Sequence, residues 1–553
     1  VSSAAYGAEP WLDVLARHAA RDKPWILLPS APVQSAEHRA VGWSEQFDLV
    51  RRIACALRER GAQPGRAVVV VADNRVETCL LLLGTLVAGA VIVPVAPLAA
   101  WQRAELWQRF LQDVCEDCEP ALIVAAGRRQ LPELTGIPTY DFAELSAARI
   151  GDLHGARDPA AVSLVQYTSG TTGRPRGVQL RHASIVHNIR EAGRAFDARD
   201  ADVGAFWLPL HHDMGLIGCL LFTTWWGMTS AMLTPRAFIT RPESWLWTVA
   251  RFGATCSAAP NAAYHACANK IADRKLAGLD LSRWRVTFNG SELIHPATLQ
   301  QFARRFAGHG YRSNAMFPVY GLAENVVAAT LPAHGAEPGV DWVDAEAIDR
   351  SNQATGVEEA SAGARGIVCV GRSIAGQQLR IVEPETGAPL AERLIGEIQL
   401  RGPCTMVGYR GAEPQSGFSQ DGWLRTGDRG YVAGGQLHVV GRYKHIIKRG
   451  GRLYDAAFIE SLIRGLPRIR GGVVAAFGVD DSRQGTERLV VMAECAERST
   501  EALASLREEI AHALREALVF APDDVVLLPP GSIPRTTSGK VRHADARAIY
   551  VGA

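Results

Sequence analysis

A chain of 553 residues is too long for one ordinary domain and has room for about three or four. Apolar residues make up 47% of it, enough to bury sizeable cores, which excludes an intrinsically disordered protein. Lys and Arg number 59 against 57 Asp and Glu, a net charge of +2, so no global field draws nucleic acid or an anionic membrane and partners must come from local sites.

In chain order, the N-terminal stretch VSSAAYGAEPWLDVL has no basic region followed by an apolar run, so no secretory signal is expected. Residues 78–101, TCLLLLGTLVAGAVIVPVAPLAAW, carry no charge and are long enough for a membrane span. Gly84, Gly89, Pro94 and Pro97 interrupt them, which predicts a helix ending near Gly89 and then a short buried strand, without stable membrane insertion. The runs RAVVVVADN, AVIVPV, PALIVAAG, TSAMLTP and RVTFNG read as buried strands alternating with helical stretches, the pattern of an α/β sheet covered on both faces. Ten cysteines are scattered. Cys115 and Cys118 form a lone C-x-x-C at helical spacing without a second pair, so zinc is not expected, and scattered thiols suit a reducing cytoplasm.

From about residue 365 the texture changes to shorter alternating strands with glycine turns, a small β-rich subdomain over 365–443. The polar, acidic segment 344–366, DAEAIDRSNQATGVEEASAGARG, reads as an insertion or mobile loop outside the sheet. A domain boundary is expected near Lys444. Beyond it, GGVVAAFGV and RLVVMAECA read as strands and EALASLREEIAHALREAL as an amphipathic helix.

The stretch YTSGTTGRPRG (167–177) follows an apolar strand, AAVSLVQ, and precedes a helical segment, ASIVHNIREAGRAF. Its glycines let backbone amides approach an anion, and its Ser and Thr hydroxyls add donors, so the loop suits a polyphosphate. It lacks the G-x-x-x-x-G-K-[ST] pattern of a Walker loop. It resembles the phosphate-loop signature of the adenylate-forming superfamily, which holds acyl-CoA synthetases, nonribosomal peptide synthetase adenylation domains and luciferases. Four further stretches resemble that family's motifs in order: VYGLAEN (319–325), GWLRTGDRGYV (422–432), GRYKHIIKRGG (441–451) and PRTTSGKVRH (534–543).

The resemblance implies a large N-terminal domain over 1–443, of layered α/β sheets plus the β-rich subdomain. A small mobile α+β C-terminal domain over 444–553 is implied to carry the catalytic lysine. It also implies ATP and Mg²⁺ as cofactors. Thr168, Ser169, Gly170, Thr171, Thr172, Gly173 and Arg176 are then the phosphate binders, with Arg176 in place of the usual lysine yet keeping its charge. Glu324 holds the metal. Asn289, Gly290, Ser291, Tyr320 and Gly321 frame adenine, while Asp428 and Arg442 take the ribose. Lys444 is the hinge, and Lys540 stabilises charge on the transferring group.

The stretch FWLPLHHDMGLIG (206–218) is similar to one in fatty acyl-AMP ligases, as are ATCSAAPNAAYHAC (254–267) and the run 289–325. On this branch His212, Asp213, Met214, Gly215, Ala258 and Ala259 line the acyl pocket, and His212 joins Lys540 and Glu324 as a catalytic candidate. The pair His211–His212 with Asp213 fits neither a metal spacing nor a condensation motif. Ala258 and Ala259 stand where the branch has glycines, and Trp225, Trp226, Trp245 and Trp247 are near in sequence, so the acyl tunnel can be reshaped. The segment 344–366 falls where the branch carries an insertion thought to restrain domain rotation. The implied activity converts a fatty or related carboxylic acid to acyl-AMP, then loads a phosphopantetheinylated acyl carrier protein for polyketide or lipopeptide assembly. The alternatives are an acyl-CoA synthetase and a non-catalytic nucleotide-binding relative.

Overall fold

The computed structural model describes residues 9–30, 33, 37–101, 104–132, 136–153, 158–168, 175–413, 415–449, 452–481, 486–518, 520–537 and 539–552. They divide into two compact units, one of residues 1–338, 370–379 and 400–424 and one of residues 339–369, 380–399 and 425–553.

The first unit holds two seven-stranded sheets among the described residues. In one, Val162–Thr168, Val91–Val95, Ala67–Val71 and Leu122–Ala125 are consecutive neighbours. Every residue of Ala67–Val71, Val91–Val95 and Leu122–Ala125 is buried, as expected of parallel strands covered on both faces. The helix Val76–Ala88 precedes Val91–Val95 and ends where Gly89 adopts a left-handed φ of 82°, a conformation that costs glycine little. At 13 residues it spans about 20 Å, short of a bilayer core. No helix among the described residues is long and apolar enough to cross a membrane. Cys115 and Cys118 are buried on the helix Ala104–Cys118, where burial pushes their thiols up to about 11 and about 12.

The second sheet of this unit runs in the order Met316–Pro318, Val286–Asn289, Cys256–Ala259, Val203–Phe206, Thr229–Met232, Pro24–Pro29, His38–Gly42. Its first five strands pair in parallel. The tryptophans near it are framework. Trp245 is fully buried, donates to Ser257 Oγ at 2.8 Å and meets Trp284 and Tyr264 edge-on. Trp225 packs edge-on against Trp11. The Trp226 ring lies so close to Gly193 that a Cβ there would stand 2.4 Å from it. The Trp247 indole donates to the Lys275 carbonyl at 2.9 Å.

The second unit carries most of a four-stranded sheet in which Leu424–Ala433 pairs antiparallel with Gln436–Arg442. It also holds the hairpin Ile446–Arg449 with Arg452–Asp455 and the sheet Ile469–Asp481, Thr486–Cys495, Asp524–Leu528. The helices Ala456–Arg464 and Thr500–Leu518 bury Ile459, Ile463, Leu506, Ile510 and Leu514 in one cluster with the middle strands.

Segment 344–366 is not a loop throughout, and its two ends lie in a sheet. Val340–Asp344 pairs antiparallel with Ala364–Val368, with Asp344 opposite Ala364, and between them runs the helix Ala345–Ser351, whose first turn donates to the Asp344 side chain at 2.8 Å. The polar composition misled because ionic contacts organise the segment. Arg365 and Asp349, only 6% and 7% exposed, pair at 3.2 Å, and the Arg365 guanidinium lies 3.9 Å over the Phe458 ring.

Candidate active site

In the first unit, Thr168 and Arg176 are directly opposite each other on the antiparallel strands Val162–Thr168 and Arg176–Arg181. The stretch expected to bind phosphate is therefore flanked by two antiparallel strands, the second of which lies between it and the helix His182–Ala195. That strand was not expected, because RGVQLR carries an arginine at each end and only a short apolar centre. Ser169, Gly170, Thr171, Thr172 and Gly173 lie outside the described residues.

Four of the motif segments leave neighbouring parallel strands at the same edge. Ala259, Asn289 and Pro318 are level in the register, so Ala258–Ala259, Asn289–Ser291 and Tyr320–Gly321 emerge side by side. The strand Val203–Phe206, paired with Cys256–Ala259, sends out the segment that reaches His211, His212 and Asp213. The carboxyl edge of parallel strands is where open α/β sheets bind ligands.

Each segment is fixed from behind. Asn289 is fully buried, its side-chain Nδ2 donates to Asn261 Oδ1 at 3.3 Å, and its backbone carbonyl accepts from the Val319 amide at 2.8 Å. Ser291 has a φ of +71°, giving the turn its sharp exit. A Cβ on Gly290 would stand 2.7 Å from Val319 Cγ2, and one on Gly321 would stand 1.7 Å from the Val327 carbonyl oxygen, so both positions exclude a side chain. Ala258 and Ala259 are buried. The His212 ring stands 3.2 Å from Asp213 Oδ1, which also accepts from the Met214 amide at 2.7 Å. Gly215 abuts the Pro209 carbonyl oxygen, 2.1 Å from a Cβ placed there. Asn74 and Gln166, which spacing gave no reason to select, brace this segment. Asn74 donates to the Leu208 and Leu233 carbonyls at 3.0 Å, and Gln166 donates to the His211 carbonyl at 2.5 Å.

Glu324 sits on one turn of 3-10 helix, Ala323–Asn325. The next residue, Val326, is buried with φ 68° and ψ −75°, and the Val327 amide donates back to the Asn325 carbonyl at 2.9 Å. That is a γ-turn on a β-branched residue, a rare and strained conformation. Three buried carboxamides hold it. Gln377 donates to Asn325 Oδ1 at 2.7 Å, Asn325 donates to the Ala328 carbonyl at 3.1 Å, and Asn188 donates to that same carbonyl at 2.7 Å. The Glu324 carboxylate accepts from the Tyr409 hydroxyl at 2.8 Å. The Arg176 guanidinium lies 3.6 Å over the same tyrosine ring and donates to Ser416 Oγ at 3.3 Å. Tyr409, Asn188 and Gln377 were all missed in the sequence; nothing about their local spacing marks them.

In the second unit, Asp428 and Arg442 face each other across the antiparallel pair and form an ion pair, with a second contact at 3.4 Å. Asp428 is 3% exposed, and its amide donates to Thr426 Oγ1 at 3.0 Å. Lys444 is exposed on the single turn Tyr443–His445. Lys540 lies on a tight turn closed by the Thr536 amide donating to the Lys540 carbonyl at 2.7 Å and the Lys540 amide donating to Thr536 Oγ1 at 3.1 Å. Just beyond it, His543 meets the buried Glu460 at 2.5 Å and stacks on His445 with ring centres 4.2 Å apart.

These features define an enzyme of the adenylate-forming fold. Residues 16–410 match the AMP-binding enzyme family. A medium-chain-fatty-acid–acyl-carrier-protein ligase, TtuA, of Teredinibacter turnerae is 31% identical over 70% of this chain and 63% of its own length. The corresponding ligase JamA of Moorena producens is 30% identical over 93% of this chain and 90% of its own. The long-chain-fatty-acid–AMP ligase FadD23 of Mycobacterium tuberculosis is 32% identical over 92% and 90%. A solved structure of the fatty acyl-adenylate ligases from E. coli and L. pneumophila superposes with a TM-score of 0.91 at 29% identity, covering 99% of this chain and 98% of the other. The chain belongs to the AMP-binding enzyme family.

Proposed function

We propose that the chain activates a fatty or related carboxylic acid with ATP, releasing pyrophosphate, and passes the acyl group from acyl-AMP to the phosphopantetheine thiol of an acyl carrier protein. The observation that carries this reading is the row of turns at one sheet edge, where Asn289, Tyr320 and the His212 segment leave adjacent parallel strands. Similarity to ligases of fatty acids along more than nine-tenths of the chain supports the acid class, and the carrier-protein ligases among them support the acceptor.

In the first half-reaction a carboxylate oxygen attacks the α-phosphorus and pyrophosphate leaves. Two anions must meet, so what the protein contributes is positioning and neutralisation. In this reading Thr168 and Arg176, with the intervening Ser169–Gly173, take the β- and γ-phosphates. Asn289, Gly290, Ser291, Tyr320 and Gly321 frame the adenine, and Asp428 with Arg442 takes the ribose hydroxyls. His212, Asp213, Met214, Gly215, Ala258 and Ala259 line the pocket for the acid. Lys540 brings its ammonium to the transferring group. Lys444 is the hinge between the 1–443 and 444–553 domains.

Glu324 fits a hard cation such as Mg²⁺. It is a carboxylate with one oxygen fixed by a neutral donor, and no cluster of three or more His, Cys, Asp or Glu among the described residues forms a cage of its own. That suits an ion taken by one carboxylate together with substrate phosphates and water. When bound, Mg²⁺ supplies neutralisation of the phosphate charge.

The test incubates the protein with ATP, Mg²⁺ and a panel of acids of increasing length, with either CoA or a holo-carrier protein, and reads products by mass spectrometry. Acyl-AMP followed by acyl-carrier protein is expected. Abundant acyl-CoA without carrier loading overturns the acceptor, and absence of pyrophosphate exchange with every acid overturns the activity. Lys540→Ala is expected to lower acyl-AMP formation by at least about a hundredfold with ATP binding retained; a parental rate would remove the lysine from the mechanism.

A further inference from the structure

Arg176 and Glu324 are 148 residues apart in sequence and belong to different motifs, yet one side chain touches both. The Tyr409 ring carries the Arg176 guanidinium on its face at 3.6 Å, and its hydroxyl donates to Glu324 Oε1 at 2.8 Å. The backbone fixes that tyrosine from both directions. Gly408–Tyr409 pairs antiparallel with the strand that begins at Arg176, with Tyr409 opposite Val178. The Arg410 amide donates to the Gly177 carbonyl at 2.8 Å, and the Met406 amide donates to the Glu324 carbonyl at 2.8 Å. Gly417 leaves room for the ring edge, since a Cβ there would stand 2.9 Å from Tyr409 Cε2.

We propose, resting on the functional reading above, that Tyr409 is a positioning residue that sets the phosphate-binding cation and the metal-holding carboxylate in one register. A planar guanidinium can stack on an aromatic face while its edge remains available to an anion; a lysine ammonium is a compact point charge without that plane. The arginine at 176 and the tyrosine at 409 are therefore a matched pair. The hydroxyl acts separately from the ring. By donating to one carboxylate oxygen it holds the Glu324 head in a single orientation, so that a cation meets a preset ligand.

The roles of ring and hydroxyl separate by substitution. Tyr409→Phe keeps the ring and removes the hydroxyl. ATP binding by calorimetry without Mg²⁺ is expected to match the parent, while the gain in affinity on adding Mg²⁺ shrinks and the Mg²⁺ concentration for half-maximal pyrophosphate release rises about tenfold. The melting temperature should stay within about 2 °C of the parent. Arg176→Lys is expected to weaken ATP binding several-fold in the parent and to add nothing in a Tyr409→Leu background. Equal Mg²⁺ dependence in Tyr409→Phe and the parent, or an Arg176→Lys effect of the same size in both backgrounds, overturns the proposal. A parent that binds neither ATP nor Mg–ATP overturns the functional reading and this proposal with it; a parent that binds both, with Tyr409→Phe indistinguishable from it, overturns the proposal alone.

Discussion

His211 shows how much one buried side chain can contribute to the acid response. It is 9% exposed, and its Nε2 has no hydrogen-bond partner among the described residues. Burial first, and then the neighbouring His212, lower it to about 3, against a weak opposing contact with the Ala72 carbonyl. The unfolded chain takes up this proton near the ordinary value of about 6.5, whereas the native chain does not do so until near 3. The unfolded state thus binds more protons through that window, and stability is lost as pH falls below about 6.5. By pH 5 the loss from this group reaches about 2 kcal/mol. His211→Phe is expected to remove that part of the acid slope, so the difference in urea unfolding free energy between variant and parent should move by about 2 kcal/mol in the variant's favour between pH 7 and 5. Parallel stability curves would mean that the native histidine titrates normally.

At the scale of elements, what the sequence made legible follows from what each element buries. Ala67–Val71 and Val91–Val95 are apolar throughout because both faces are covered, so their runs could be read directly. Arg176–Arg181 packs Val178 and Leu180 alone to completion among its apolar residues, and its two arginines hide it. Ala345–Ser351 is secured through the Asp349–Arg365 pair, so its polar composition resembles that of a loop. The motif residues Tyr320, Glu324, Asp428 and Lys540 are legible as short patterns. Their supports are not, because Gln377 reaches Asn325 across 52 residues and Asn188 reaches Ala328 across 140, and no local periodicity encodes such partners. The same supports yield a measurable expectation for the γ-turn. Gln377→Leu keeps much of the volume but leaves the buried Asn325 oxygen without its donor, costing about 1–3 kcal/mol in urea denaturation. It also loosens the turn that carries Glu324, so pyrophosphate release should fall in the folded variant. Unchanged stability and turnover would mean the strained turn stands without this clamp.

At the scale of the molecule, Lys444 lies inside the second compact unit, so a rotation about it would have to part contacts within that unit. The most costly is ionic. Arg429, on the strand Leu424–Ala433, is fully buried and donates to Asp455 Oδ2, on the strand Arg452–Asp455, at 2.8 Å. Asp455 lies so close to Gly441 that a Cβ on that glycine would stand 2.1 Å from its carboxylate. Arg429 also contacts Asn352 of the segment that follows Ala345–Ser351, and Arg452 reaches Glu346 on that helix at 3.2 Å. Burial pushes the Asp455 carboxyl up to about 6 even beside Arg429, the mark of a desolvation cost that pairing does not fully offset. With Lys444 as the proposed hinge, its rotation would separate two buried charges, whereas replacing both with apolar residues leaves little to separate. Asp455→Ala alone, which strands the guanidinium, is expected to destabilise the second unit by about 3–5 kcal/mol. The double variant Arg429→Met with Asp455→Leu should stay folded and adenylate at the parental rate. Its acyl transfer to CoA, relative to carrier protein, should rise several-fold if, as proposed, rotation about Lys444 admits the free thiol. An unchanged acceptor ratio in that folded double variant would mean that this ion pair does not restrain the proposed rotation.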